Sequence, residues 1–213
     1  MKAIIMAAGT YRTFDRKTIK LNDETLIDRI VRQLKQRNID EIMITASYPG
    51  QHKEIKGTVE ILNNLNGKDL GCLYGIKDIG ADIYLYADVF YSENAIDKIV
   101  EGKTTYYGRI TPSPLKKYGE FFAFRDDKKM WKVLDEAWIA LNEGKIKRLW
   151  SWDLYAYHTE KWFIQDGEIP RKKMKREQYV ITTDFTEIND WTDDFDSAEE
   201  VIKWQETFGG KHD

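Results

Sequence analysis

The chain has 213 residues, 42% hydrophobic and 32% charged, with 33 Lys and Arg against 36 Asp and Glu for a net charge of −3. That balance sustains an ordinary globular core and disfavours a general nucleic-acid binder, which carries a basic excess. The single cysteine, Cys72, excludes an internal disulfide, and the opening apolar run of residues 3–8 is too short for a signal-peptide core or a membrane span, so a cytoplasmic protein without a membrane or nucleic-acid partner is expected.

Residues 2–8 are bounded by Gly9 and read as a buried strand. Thr25 to Arg37 reads as a helix, with Leu26, Ile27, Ile30, Val31 and Leu34 on one face and Thr25 and Asp28 as a capping pair. Glu41 to Ser47 is a second strand and Thr58 to Leu62 a short third one. Leu70 to Ile79 is a helix candidate interrupted by Gly71 and Gly75. Asp82 to Ala87 is a strongly apolar strand ending at Asp88, and Glu93 to Val100 is helical. Strand and helix thus alternate through the first hundred residues, the pattern of an α/β fold with a parallel sheet.

The pattern changes at about residue 104. Thr104 to Ile110 and Glu120 to Phe124 look like strands of mixed pattern, and Asp126 to Asn142 is a longer helix with Met130, Leu134, Ala137, Trp138 and Leu141 near one face. Residues 145–165 are aromatic and carry no clear period, and 166–178 are strongly basic and read as a loop or lid. Tyr179 to Ile188 is a strand, and Ser197 to Phe208 closes the chain as a helix with Ser197 and Glu200 as a capping box. No repeat or low-complexity linker divides residues 1–213, which read as a single domain with two halves, 1–103 and 104–213.

Three segments can carry chemistry. The turn Ala7-Ala8-Gly9-Thr10-Tyr11-Arg12, with Lys17 after it, offers backbone N–H groups and cations at the sheet edge where open α/β sheets bind ligands; an ordinary turn with solvated charges is the alternative. Asp88 follows an apolar strand at the same edge, where a hard oxygen ligand suits Mg²⁺, or where it ends a turn before Ser92. The run Asn189 to Ser197 holds four aspartates, which could supply a second metal ligand or form a solvated acidic turn. His52, His158 and His212 show no zinc spacing with Cys72, and Cys72 reads as a small buried residue.

Taken in order, Ala3 to Gly9, Arg12, Lys17 and Leu21 to Arg29 resemble the opening of the sugar-phosphate nucleotidyltransferase superfamily, in particular the branch with molybdenum-cofactor guanylyltransferases and cytidylyltransferases. Gly71 to Ile76 is similar to that branch's GPLAGI segment, Asp88 to its metal aspartate, and Asp194 to Glu200 to its late acidic element. The loop departs from the family in having Thr10-Tyr11 for a glycine-containing pair and no proline before the lysine.

The resemblance implies a three-layer α/β/α sandwich with a mostly parallel, Rossmann-like sheet. It makes 1–103 the nucleotide-binding half and 104–213 the acceptor-binding half with the second metal ligand. Ala7, Ala8, Gly9, Thr10 and Arg12 would wrap the triphosphate, Arg12 and Lys17 would bind phosphate oxygens, Gly71 and Leu73 would lie near the base or ribose, and Asp88 and Asp196 would hold Mg²⁺. Arg16 and Lys20 compete with Lys17 for its role, and Asp194 with Asp196. The reaction implied is transfer of a nucleoside monophosphate from a nucleoside triphosphate to a small phosphorylated acceptor, a sugar 1-phosphate or phosphocholine.

Trp131, Trp138, Trp150, Trp152, Tyr155, Tyr157 and Trp162 could stack a sugar or enclose a cation, or fill the core or a homodimer interface. The basic run Arg171 to Arg176 could close over an anionic acceptor or remain a solvated loop. A glycosyltransferase of related fold is the rival enzyme, but it calls for Asp-x-Asp after the central strand, where this chain has Asp88-Val89-Phe90. A non-catalytic nucleotide-binding domain is the other rival.

Overall fold

The computed structural model describes residues 1–8, 19–21, 23–65, 70–111, 113–116, 119–159 and 182–209. In chain order the elements are β1 (Lys2–Met6), β2 (Lys20–Leu21), β3 (Glu24–Thr25), α1 (Leu26–Gln36), β4 (Glu41–Ala46), β5 (Val59–Leu62) and α2 (Gly71–Tyr74). A 3₁₀ turn at Lys77–Ile79 follows, then β6 (Ile83–Tyr86), β7 (Val89–Phe90), α3 (Glu93–Glu101), β8 (Tyr106–Arg109) and β9 (Glu120–Arg125). The remainder is α4 (Lys128–Asn142), α5 (Ser151–His158), β10 (Phe185–Glu187), β11 (Asp193–Asp194) and α6 (Ala198–Phe208).

Among the described residues, seven strands form one sheet in the order β10-β8-β9-β6-β1-β4-β5. β1 lies parallel to β4 and β6, β4 to β5, and β10 to β8. β9 alone runs backwards, antiparallel to both β6 and β8. Strands from both halves of the chain therefore share one sheet.

Side chains alternate faces along a strand, and β1 shows the consequence. Ala3 and Ile5 enter a core built with Ile27, Ile30 and Leu34 of α1 and Ile96 and Ile99 of α3. Ile4 and Met6 enter a second core on the other face, with Met130, Leu134 and Trp138 of α4 and Leu154 and Tyr155 of α5. A sheet apolar on both faces needs a helical layer on each, which is the sandwich that the resemblance implies. A third, smaller cluster joins Ile19, Leu21, Leu26, Phe90, Phe195 and Trp204, and it seats α6 against the β7–β11 ribbon.

The helix signals act locally as the sequence implies. Thr25 Oγ1 accepts from the Asp28 N–H at 3.1 Å to start α1, and Asp127 Oδ1 accepts from the Met130 N–H at 2.6 Å to start α4. Gly144, at φ 72°, takes the left-handed conformation that ends α4. At α6, Ser197 Oγ accepts from the Glu200 N–H, but Glu200 turns back to the Asp196 N–H at 2.7 Å rather than to the cap residue itself.

Three expectations are corrected. The helix read over Leu70–Ile79 is one turn, α2, followed by the 3₁₀ turn, because its two glycines weaken helix propagation; both stand at close approaches, where a Cβ would lie 1.9 Å from the Leu65 carbonyl oxygen and 2.2 Å from Asn63 Oδ1. The aromatic stretch without a clear period contains α5, started by Asp153 Oδ2 accepting from the Trp150 N–H at 2.9 Å. The strand read over Tyr179–Ile188 is reduced to Phe185–Glu187, with 179–181 outside the described residues, as is the basic run 166–178.

Ile5 has no exposed surface in the central strand. Ile5→Ala is expected to cost about 2–5 kcal/mol of stability, read as a lowered urea midpoint with unchanged slope. A loss under about 1 kcal/mol would contradict close packing of α1 on this face.

Candidate functional site

The parallel strands β1, β4 and β6 end at one edge of the sheet, at Met6, Ala46 and Tyr86. Beyond β1, the Ala7 and Ala8 N–H groups both donate to Thr45 Oγ1, at 2.9 and 2.8 Å, so the exit of the chain from the sheet is fixed by β4. Gly9, Thr10, Arg12, Arg16 and Lys17 lie outside the described residues. Lys20 begins β2 and is exposed.

Asp88 stands in the turn between β6 and β7, half-buried at the same edge. α2 is its neighbour there: burial, and then the charge of Asp88, push the Cys72 thiol up to about 12, and the thiol also meets Tyr86. The segment with Gly71 and Leu73 is thereby beside Asp88. Leu73 itself turns fully inward to the core, and Asn63 Nδ2 holds the Gly71 and Cys72 carbonyls at 3.2 and 3.0 Å.

The late acidic run separates into four roles. Asp190 accepts from Ser92 Oγ at 2.6 Å, from the Thr192 N–H at 2.8 Å and from Asn94 at 3.1 Å. Burial pulls its carboxyl up, but these bonds outweigh burial and hold it below its ordinary value. Asp193 forms a buried ion pair with Arg109 at 3.3 Å.

Asp194 pairs in β11 with Val89 of β7, and the Phe195 N–H donates to the Asp88 carbonyl at 3.2 Å, which draws the two segments together. Phe195 is buried against Trp204, while Asp194 and Asp196, on either side of it, both face Lys116. Asp196 Oδ2 lies 2.5 Å from Lys116 Nζ. Asp194 Oδ1 is buried with no hydrogen-bond partner among the described residues.

Sequence reasoning missed Arg109, Lys116 and Glu120. Arg109 donates to the carbonyls of Ile188 and Thr192 at 3.2 and 2.8 Å and to that of Asp190. Lys116 is buried among Asp194, Asp196 and Glu200; burial lowers the pKa of its ammonium, but these carboxylates outweigh it and raise the value. Glu120 opens β9 and, because β9 is reversed, comes to the edge that carries Asp88. None of the three belongs to a motif; the reversal of β9 is the signal that would have found Glu120, and it is a tertiary one.

The aromatic residues divide. Trp138 stacks on Tyr74 at 4.4 Å, and Tyr155 lies in the core. Trp152 reaches the site edge, where its Nε1–H donates to the Gly119 carbonyl at 3.1 Å and its ring packs on Phe121. Trp150 is 52% exposed, under the Arg148 guanidinium. Trp162 lies outside the described residues. His158 is buried with Nε2 3.4 Å from Asp127 Oδ1, away from any metal-like grouping.

No family model matches the sequence, and no curated protein does. Solved structures do. The CTP:phosphocholine cytidylyltransferase of Streptococcus pneumoniae superposes with TM-score 0.60 at 16% identity, over 97% of this chain and 98% of that one. The protein has a nucleotidyltransferase fold. The 4-diphosphocytidyl-2C-methyl-D-erythritol synthase of Anaerococcus prevotii matches with TM-score 0.61 at 13% identity, over 98% and 95%. The 2-C-methyl-D-erythritol 4-phosphate cytidylyltransferase of Thermus thermophilus matches with TM-score 0.56 at 12% identity, over 97% of each chain. Among the described residues no helix is long and apolar enough to cross a membrane.

The acidic cluster carries a pH signature. Burial pushes Asp194 up to about 8, Lys116 pulling it down and Asp88 pushing it further up. Burial, then the charge of Asp194, push Glu120 up to about 9. Both acids hold a proton more tightly folded than unfolded. Their stabilisation is therefore full below the ordinary carboxylate range and lost as pH rises through about 8 and 9. The melting temperature of metal-free protein is expected to fall between pH 6 and pH 9, and Asp194→Asn is expected to flatten that fall. An equally steep fall in the Asn variant would remove Asp194 from the effect.

Proposed function

We propose that the protein is an Mg²⁺-dependent nucleotidyltransferase that moves a nucleoside monophosphate from a nucleoside triphosphate to a small phosphorylated acceptor with release of pyrophosphate. The observation that carries this reading is the approach of Asp194 to Asp88 at the C-terminal edge of β1 and β6. The fold, shared over nearly the whole chain with cytidylyltransferases, supports the same class of reaction.

The donor set fits a hard cation. It consists of carboxylate oxygens, and the buried Asp194 Oδ1 has no hydrogen bond to lose among the described residues. Among the described residues no three acidic side chains converge to ligate one ion. Two suffice for Mg²⁺, which takes its remaining ligands from substrate phosphates and water. Asp88 and Asp194 would hold the ion, with Asp196 as the ligand that the resemblance favours and Lys116 engages. Bound there, Mg²⁺ supplies charge neutralisation to the phosphates.

The rest of the chemistry is positioning. An acceptor phosphate oxygen attacks the α-phosphorus in line, the bond to pyrophosphate breaks, and no protein nucleophile is needed. The backbone of Gly9 and Thr10 would cradle the triphosphate, with Ala7 and Ala8, whose N–H groups are taken by Thr45 Oγ1, fixing where that loop leaves the sheet, and Arg12 and Lys17 would take up charge on the leaving pyrophosphate. Gly71 and Leu73 would border the base or ribose through the backbone of α2. A sugar 1-phosphate or phosphocholine would meet Gly119, Glu120 and Trp152. Such an enzyme would act in the cytoplasm, where nucleoside triphosphates are available.

Incubation with Mg²⁺, each common nucleoside triphosphate and a panel of sugar 1-phosphates and phosphocholine is expected to release pyrophosphate for one pairing. Asp88→Ala should lower that rate on the order of 10²-fold or more. Release of nucleoside diphosphate from a nucleotide-sugar instead would identify a glycosyltransferase, and absence of nucleotide binding by calorimetry would reject the proposal.

A further inference from the structure

Lys116 is the most enclosed cation of the acidic cluster among the described residues, its side chain 2% exposed. Its Nζ lies 2.5 Å from Asp196 Oδ2, 3.0 Å from Glu200 Oε2 and 3.6 Å from Asp194 Oδ2. A tight turn holds it there: Ser113 Oγ accepts from the Leu115 and Lys116 N–H groups at 3.1 and 2.9 Å, and the Ser113 N–H donates to the Lys116 carbonyl at 3.1 Å. Asp194 therefore shows one oxygen to Lys116, and its other, Oδ1, has no hydrogen-bond partner among the described residues. An ammonium among three carboxylates does the electrostatic work of a bound cation, and it repels a second cation placed on the same side chain.

We propose that Lys116 is an internal counter-cation that competes with the divalent ion for the carboxylates of the site and so sets the metal affinity of the protein. The proposal rests on the reading of Asp88 and Asp194 as metal carboxylates. With Lys116 in place, Asp196 and Glu200 are neutralised from within, and the cluster stays folded without metal. The divalent ion is then held mainly by Asp88, Asp194 and the phosphates that arrive with substrate, so binding of metal alone is weak and binding of the metal–nucleotide pair is favoured. The role belongs to a positioning residue: Lys116 acts through the carboxylates it holds.

The test is a Mn²⁺ titration of the full chain without nucleotide, following the free-ion paramagnetic resonance signal. Lys116→Met is expected to bind Mn²⁺ about tenfold tighter or more, because both a repelling charge and a competing ligand are removed. Lys116→Arg, which keeps the charge, is expected to stay near wild type. Lys116→Met/Asp196→Asn is expected to lose most of the gain, since the released carboxylate is what the ion acquires. Circular dichroism establishes folding, and Lys116→Gln replaces the Met variant if that variant fails to fold. Unchanged or weaker Mn²⁺ binding in a folded, uncharged Lys116 variant overturns the proposal and leaves Lys116 as a structural tie. The underlying metal reading is checked apart from it: Asp88→Asn should abolish Mn²⁺ binding in the wild-type and Lys116→Met backgrounds alike, and wild-type affinity in Asp88→Asn would overturn that reading whatever Lys116→Met does.

Discussion

Arg109 is the buried cation on which the geometry of the site depends. It leaves the end of β8 and binds three carbonyls of the 188–192 stretch together with the carboxylate of Asp193. A planar guanidinium with five donors can satisfy four acceptors in one plane, which an ammonium cannot. That clamp fixes where the chain turns after β10, and hence the register in which β11 meets β7. A buried pair of this kind adds little net stability, but loss of one partner costs about 3–5 kcal/mol because the other charge stays buried alone.

From that register the rest follows by alternation. Phe195 must face the small core with Phe90 and Trp204, so Asp194 and Asp196 must face the other way, toward Lys116. The reversed strand β9 adds Glu120 to the same edge. Several carboxylates are thus brought together in a partly dry setting, where each raises the cost of ionising the others. The protein answers with two buried cations, one shaping the backbone and one neutralising charge. What stays without a hydrogen bond among the described residues is the buried Asp194 Oδ1, close to Asp88 at the sheet edge, and that is the physical basis for reading the edge as a place for a divalent ion and phosphates.

The second helical layer has a different logic. α5 carries Ser151, Trp152 and Tyr155 from the sheet face to the site edge, with Ser151 Oγ 2.9 Å from Tyr86 Oη and Trp152 bonded to Gly119. Most of the aromatic residues that stand out in the sequence pack on one another there. Among the described residues, Trp150 is exposed and Trp131, Trp152 and Tyr157 are half-buried at the rim.

The sequence by itself determined the parallel strands β1, β4 and β6, the helices α1, α3 and α4 and the Thr25 and Ser197 caps of α1 and α6, because apolar period and capping are local signals that neighbouring residues decide. It also directed attention to the edge beyond β1 and β6, since a strand ending in Ala7-Ala8 or Ala87-Asp88 is a local event. It held Asp194 and Asp196 as alternatives, because four aspartates in nine residues look alike until each has a partner. The tertiary structure alone decided that Asp190 binds Ser92, Asp193 binds Arg109 and Asp196 binds Lys116, with one oxygen of Asp194 left without a hydrogen bond among the described residues. It decided too that β9 runs backwards and that α5 exists within an aromatic stretch of no clear period. The carboxylate pairings join residues 80 to 98 positions apart, set by burial and charge, and no local pattern encodes them.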